Sequence, residues 1–197
     1  MKQSTIIILI AIVAVLAAIA IPAYNRLQGL DENVNAQWSE VVSQYQRRAD
    51  LVPNLVESVK GYARHEEAVF TEVAAARARV GSLTLTPEML GDEAALQRFQ
   101  QAQGELTSAL SRLLLVAENY PDLKASANFE NLMTQLEGTE NRITTARRNY
   151  IDSVQTFNTA VRTFPASLIA RFSGLSRRAQ FSVENEAAIA TAPQVQF

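Results

Sequence analysis

The residues that could do chemistry in this sequence form two clusters of charged and amide side chains. Both lie in stretches whose apolar residues recur at alternating steps of three and four, and both place charges at core positions of that pattern. A buried charge must be paired and hydrogen-bonded, because an unpaired one is very costly. We favour interhelical Arg–carboxylate pairs that fix helix register over the alternative, a polar groove that binds a partner. The clusters are Arg47, Arg48, Asp50, Asn54 and Glu57 around Pro53, and Glu140, Asn141, Arg147 and Arg148 further along.

Groups typical of enzymes and metalloproteins are scarce. The chain has no cysteine and one histidine, which excludes disulfides, thiolate catalysis and multi-histidine metal sites. His65 with Glu66 and Glu67 could form a pH-responsive or single-histidine metal site, but we interpret this histidine as a solvated or capping residue. The sequence has no glycine-rich phosphate loop and no Ser-His-Asp set. We therefore predict a non-enzymatic protein with no catalytic residue, metal or cofactor.

Composition sets the class of protein. The 197 residues are enough for one domain with an appendage, and 48% of them are apolar, which is enough for a core. The net charge of −2 argues against nucleic acid as a partner, because neutralising phosphates requires a basic surface.

A membrane anchor is predicted at the N-terminus. Residues 6–21 are all Ile, Leu, Val or Ala, and flanking residues extend this run to a length that just spans roughly 30 Å of hydrocarbon. The alternative is a cleaved signal peptide with Ala18-Ile19-Ala20 as its cleavage site. We favour a retained anchor with membrane lipid as its partner. Representative anchor residues are Ile6, Ile10, Leu16, Ile21 and Tyr24, the last as an interfacial aromatic.

The charges that flank the anchor predict its orientation. Lys2 and the α-amine lie on the short N-terminal side, whereas Arg26 on the other side is followed by Asp31 and Glu32. The positive-inside rule then favours a cytoplasmic N-terminus and an exported body.

The first stretch of three–four spacing runs from Asp31 to Val80 and predicts a helix packed against other helices. Pro53 lies inside it but off the apolar stripe, so the sequence fits one long kinked helix or two helices with a turn near Ala49–Pro53. The unbroken phase favours the kinked helix, and Gly61 marks a second weak point. The stripe consists of Val34, Trp38, Val41, Tyr45, Arg48, Val52, Leu55, Val59, Tyr62, Glu66, Val69, Val73, Ala76 and Val80.

Two further stripes follow, separated by breaks at Gly81–Pro87 and Tyr120–Asp122. Short connections between long helices make neighbours antiparallel, so we predict an all-α, up-and-down bundle of three to four long helices behind the transmembrane helix. The second stripe is Leu96, Phe99, Gln103, Leu106, Leu110, Leu113, Ala117 and Tyr120. The third is Phe129, Met133, Leu136, Glu140, Ile143, Arg147, Tyr150, Val154, Phe157, Val161 and Phe164.

The stretch after Phe164-Pro165 is predicted to be a short amphipathic segment and a loose tail. Leu168, Ile169, Phe172 and Leu175 recur at roughly helical spacing beside three arginines. The segment either lies on lipid headgroups or folds back and caps the bundle, and we favour the second. The predicted division is an anchor at 1–29, the bundle at 30–165, and this segment with the tail at 166–197.

Several of these stretches resemble the LemA family of bacterial membrane proteins. The resemblance covers most of the chain beyond the anchor. It is carried by Gln46-Arg47-Arg48, Asp50-Leu51, Pro53-Asn54-Leu55, Gly138-Thr139-Glu140-Asn141-Arg142 and Phe164-Pro165, all in family order. The departures lie mainly in the anchor and in the extended C-terminal tail.

The resemblance implies an N-terminally anchored antiparallel bundle, usually of four helices, in the bacterial inner membrane. The family has no settled biochemical activity, and a relative in magnetotactic bacteria is associated with magnetosome membrane formation. We therefore expect a single-pass membrane scaffold that associates with itself or with another membrane protein. The alternative is an accessory subunit that presents its Arg/Glu groove to a peptide or an anionic ligand.

Overall fold

The computed structural model describes residues 2–63, 65–83 and 86–181, and every regular element in these ranges is helical. A short 3-10 helix, Pro87–Gly91, precedes the third α-helix. The α-helices are α1 (Lys2–Lys60), α2 (Glu67–Gly81), α3 (Glu93–Glu118), α4 (Pro121–Lys124), α5 (Ala127–Ala160) and α6 (Ala166–Phe172).

Helix α1 has two halves with different surroundings. Its 59 residues extend about 88 Å at the α-helical rise. Among the described helices it is the one long and apolar enough to cross a membrane, and none of its most apolar stretch is buried. From Leu27 onward the same helix contributes regularly spaced buried side chains to the bundle. One continuous helix therefore forms both the anchor and a core element.

The second half of α1 packs with α2, α3 and α5 as a four-helix, up-down-up-down bundle, which confirms the predicted all-α fold. Side-chain contacts give the directions: α2 and α5 run antiparallel to α1, and α3 runs antiparallel to α2. The contacts that define this order are Arg77 with Ala49, Arg112 with Glu72, Arg79 with Glu105, Asn128 with Ser58, and Arg142 with Gln44.

The interior consists of two apolar clusters stacked along the bundle axis. The cluster nearer the anchor is aromatic: Trp38 packs against Phe99, Tyr150 and Phe181, with ring centroids 5.4 to 6.2 Å apart. The distal cluster is built mostly from aliphatic side chains of all four helices. Ring pairs at such distances stabilise a core by more than the burial of their apolar surface alone provides.

Helix α1 passes through Pro53 without interruption, and the reason lies on α2. Proline has no N–H, so the carbonyl four residues earlier, that of Ala49, loses its helical partner. Arg77 on α2 donates its Nε–H to this carbonyl at 3.0 Å. The orphaned acceptor is thus satisfied from a neighbouring helix, which also fixes α2 against α1.

The single kinked helix predicted for Asp31–Val80 is wrong. The chain leaves α1 after Lys60 and turns back into α2 at Glu67, so the stripe members Tyr62 and Glu66 lie in a connection. The alternative turn near Ala49–Pro53 is wrong as well. The weak point at Gly61 is where the helix ends, because the next two N–H groups, at Tyr62 and Ala63, both bond back to Val59.

The C-terminal region folds back onto the bundle, as the favoured prediction expected, and the alternative of lipid contact stays a prediction. Helix α6 contacts α1 and leaves Leu168 and Phe172 exposed, whereas residues 175–181 fold back onto the bundle and bury Phe181. The third stripe ends earlier than predicted, because α5 stops at Ala160 and Phe164 is 80% exposed. The tail predicted beyond this region, residues 182–197, lies outside the described residues.

Candidate functional site

A single polar layer, made by Arg48, Gln103, Thr107 and Glu140, separates the two apolar clusters. Arg48 on α1 is 2% exposed. Its Nη1 donates to Glu140 Oε1 on α5 at 3.1 Å and to Thr107 Oγ1 on α3 at 3.0 Å. Its Nη2 donates to the side-chain and backbone oxygens of Gln103 at 2.5 and 3.2 Å. One guanidinium therefore links three helices.

The polar layer satisfies most of the hydrogen-bonding capacity of Arg48. Four contacts occupy its terminal nitrogens, and its carbon Cζ lies 5.0 Å from the ring centroid of Tyr45, a cation–π distance. Only Nε has no partner among the described residues. Glu140 remains 43% exposed, so one side of the pair reaches solvent. This geometry suits an interhelical clamp, and it leaves few free donors for a ligand.

Arg147 lies one heptad beyond Glu140 on α5, next to Tyr45 and Phe181 of the aromatic cluster. Its guanidinium covers the ring of Phe181 at 4.7 Å. Burial raises the pKa of the Tyr45 hydroxyl above its ordinary value, against the opposing effect of the positive charges of Arg147 and Arg48. Tyr45 is thus a neutral phenol at physiological pH, held between two arginines.

The other members of the predicted clusters do not enter the layer. All six are exposed. Asp50 accepts a bond from Gln46 one turn away, and Glu57 pairs with Lys60 at 3.3 Å. The exposed members are Arg47, Asp50, Asn54, Glu57, Asn141 and Arg148. The structure therefore brings together Arg48, Glu140 and Arg147, and leaves the remainder on the surface.

A second polar constellation fixes the C-terminal segment at the membrane-proximal end. Arg178 donates from Nε and Nη2 to one oxygen of Asp31, at 2.9 and 2.7 Å. Asn158 bonds both the N–H and the carbonyl of Arg178, and the Tyr150 hydroxyl donates to the Ala179 carbonyl at 2.8 Å. Burial raises the pKa of Tyr150, although Arg178 opposes the shift. These bonds hold residues 178–181 across α1 and α5.

Sequence reasoning missed several residues that complete these sites. Gln103 was visible as the one amide on an apolar stripe, and that anomaly could have been matched to Arg48. Thr107 and Arg77 carry no such signal, because both lie off the core stripes. Asp31 and Arg178 are 147 positions apart, and no local pattern joins them.

The described residues contain no group of three His, Asp or Glu side chains that could hold a metal ion. His65 is exposed in the connection between α1 and α2.

These observations define a class: a helical bundle continuous with an apolar N-terminal helix, organised around a buried arginine. The LemA family model matches residues 37–197, which includes the polar layer and the C-terminal segment. The chain belongs to the LemA family. The resemblance drawn from the sequence motifs is thereby confirmed.

Curated relatives are similar over most of the chain. The chain is 27% identical to "Magnetosome protein MamQ 2" and to "Magnetosome protein MamQ 1" of Paramagnetospirillum magneticum, over 89% of this chain and 71% of each relative. It is also 27% identical to "Magnetosome protein MamQ" of Magnetospirillum gryphiswaldense, over 78% of this chain and 62% of that relative. The family membership and the exposed apolar helix indicate a membrane protein.

Proposed function

We propose that this protein is a non-enzymatic membrane scaffold whose bundle associates with itself or with another membrane protein. The observation that carries the proposal is the continuity of α1, whose apolar half is uncovered and whose second half is a core helix. A helix without a flexible joint fixes the bundle relative to the anchor and sets its height above the bilayer. Such rigid display suits assembly, because it reduces the ordering that association would require.

The chemistry of the polar layer supports a structural role over catalysis. Its guanidinium is already engaged by three side chains, and neither buried tyrosine is activated, since burial raises both pKa values. The names of the relatives describe a cellular structure and no reaction. A scaffolding role is consistent with each of these observations.

The oligomeric state of the full chain tests the proposal. The protein is reconstituted into lipid nanodiscs or mild detergent at a series of concentrations, and its mass is measured in parallel with cross-linking in native membranes. We expect a concentration-dependent oligomer or a stable complex with another membrane protein. A monomer at every concentration, with no cross-linked partner in the membrane, contradicts the proposal.

We further propose a single-pass topology in the bacterial inner membrane, with the bundle on the exported side. The chain has no cysteine, so Glu118→Cys at the exposed distal end of α3 introduces a unique thiol. A membrane-impermeant maleimide should label this variant in intact cells whose outer membrane has been permeabilised. Labelling that requires lysis of the inner membrane would instead place the bundle in the cytoplasm.

A second candidate is an accessory binding subunit, favoured by a recess of about 290 Å³ on α5. Thr144, Arg147, Arg148 and Ile151 line it. Two arginines suit an anionic peptide or phosphate group. If this recess binds a ligand, Arg148→Ala should abolish capture of an acidic peptide without a change in melting temperature. Unchanged capture would leave the scaffold as the remaining function.

A further inference from the structure

The α5–α6 corner, residues 161–172, presents an unusual concentration of apolar surface. Outside the anchor, the described residues expose five large apolar side chains, and three of them lie in this corner. Phe164 is 80% exposed, Leu168 54% and Phe172 91%. Leu168 and Phe172, four residues apart, lie on one side of α6, whereas Ala170 on the other side is buried, and Phe164 lies in the turn just before this helix. Isolated apolar residues on a surface need no explanation, but a contiguous patch does.

The α5–α6 corner lies next to the apolar half of α1. Phe164, Pro165 and Ala166 line the same cleft, of about 840 Å³, as Ala18, Ile19 and Pro22 of α1. Ala18 lies three residues inside the apolar run that ends at Ile21, which is roughly 4.5 Å along the helix axis. The corner thus lies beside the last turn of the apolar segment, and this position is close to the depth of about 5–10 Å at which interfacial helices lie.

The charge around the corner matches an anionic surface. Residues 161–181 include four arginines and no Asp or Glu, and the cleft shared with α1 adds Arg26 and Asp152, whose charges offset each other. Arg178 is neutralised by Asp31, whereas Arg162, Arg171 and Arg177 are exposed. Arginine forms bidentate bonds to phosphate, and its aliphatic stem tolerates the headgroup region.

We infer that the α5–α6 corner is a second membrane contact, which inserts Phe164, Leu168 and Phe172 into the headgroup region of the leaflet that α1 leaves. The three exposed arginines bind anionic phospholipid headgroups. This inference rests on the retained anchor of the proposed function. Two contacts with one leaflet fix the tilt and rotation of the bundle, which a single helix leaves free.

The test measures the depth of single residues in vesicles. Phe164→Cys, Leu168→Cys and Phe172→Cys are made in the full chain, labelled with a small fluorophore and reconstituted into phosphatidylglycerol vesicles with brominated phosphatidylcholine. Leu115→Cys is the matched control, because Leu115 is 60% exposed on α3 and far from the anchor. Ile10→Cys reports the anchor itself.

We expect brominated lipid to lower the emission at positions 164, 168 and 172 by about twofold, as an interfacial depth requires, and to leave position 115 unaffected. Replacing phosphatidylglycerol by neutral lipid, or introducing Arg171→Gln with Arg177→Gln, should reduce this quenching. Quenching at position 10 but not in the corner overturns the inference and leaves the anchor intact. A dehydrated but unquenched corner label also overturns it, in favour of a protein partner. No quenching at position 10 removes both proposals.

Discussion

The bond between Arg77 and the Ala49 carbonyl should contribute to the free energy of unfolding only because Pro53 removes the helical donor of that carbonyl. Arg77→Met keeps most of the apolar stem and removes the donor, which leaves a carbonyl of a buried residue unpaired. A hydrogen bond to a charged group contributes about 1.5–3 kcal/mol. Since Arg77 is exposed, we expect the lower end of that range, about 1.5 kcal/mol.

Pro53→Ala supplies a new backbone N–H at position 53, which can pair with the Ala49 carbonyl inside α1. This change removes a proline cost of up to about 3 kcal/mol and should stabilise the bundle. In that background Arg77→Met should cost almost nothing. The coupling energy of the double-mutant cycle should therefore equal the single cost, about 1.5 kcal/mol.

Urea unfolding of the full chain in detergent micelles measures this cycle, with far-ultraviolet circular dichroism and the emission of Trp38, the one tryptophan, as reporters. Arg79→Met is the control, because Arg79 lies on the same helix and makes a surface salt bridge to Glu105, worth up to about 1 kcal/mol. Its cost should be the same in both backgrounds. If Arg77→Met costs equally with and without Pro53, the explanation of the continuous helix is refuted.

Three further predictions concern the polar constellations. Arg48→Met should destabilise the bundle by about 3 kcal/mol, because it removes one partner of a buried network. Glu140→Gln should cost less, because its amide oxygen still accepts the bond from Arg48. Urea unfolding measures both losses, and the reverse order would contradict this prediction. The raised pKa of Tyr150 means that the folded chain holds its proton more tightly, so stability should be complete below pH 10 and fall above it. Between pH 8 and pH 11 the melting temperature should fall less in Tyr150→Phe than in the unchanged protein. An equal fall in both would refute the role of Tyr150 ionisation. Asp31→Asn should weaken the bond to Arg178 and speed amide exchange or trypsin cleavage at residues 175–181, with no change at α2 as the internal control.

The helical core was predictable because burial in a bundle follows a local period. In α1 every stripe member from Val34 to Val59 is buried, including the charged Arg48. A charge that keeps the phase of a core stripe has to find a partner there, so the period also identified Arg48 and Glu140 as candidates for a pair. The partner contributed by α3 could not be read, because Thr107 lies beside the stripe.

The favoured prediction kept Asp31–Val80 as one kinked helix and so missed the break between α1 and α2, and the alternative placed a break at Ala49–Pro53. Both errors arise because the effect of Pro53 was judged from the local sequence alone. Proline removes a hydrogen bond locally, and the sequence alone assigns that loss to the helix. In the structure Arg77 compensates this loss by bonding the Ala49 carbonyl from 28 residues away along the chain, so the helix continues through Pro53 and ends at Gly61 instead. The three–four spacing continues through the connection in the sequence alone, because Tyr62 and Glu66 keep the spacing but are not helical.

Phe164 was misassigned for a related reason. Its spacing from Phe157 and Val161 fits a core stripe, but α5 has ended by then. Periodicity identifies an apolar face. Whether other helices cover that face depends on its height above the anchor, and this height is a property of the assembled bundle. Phe157 at one height is buried among helices, whereas Phe164 two turns later is exposed beside the apolar half of α1.

The polar layer and the α5–α6 corner are connected by helix register. Apolar three–four stripes tolerate a slip of one heptad, because the same kind of side chain returns after seven residues. A slip of α5 along α1 would place Arg48 opposite Met133 or Arg147, and either leaves a buried cation without its carboxylate. The same slip would move the corner by about 10 Å along α1, out of reach of the turns that it now lines. By fixing which residue of α5 faces Arg48, the pair with Glu140 also fixes the height of Phe164 and Phe172 relative to the anchor.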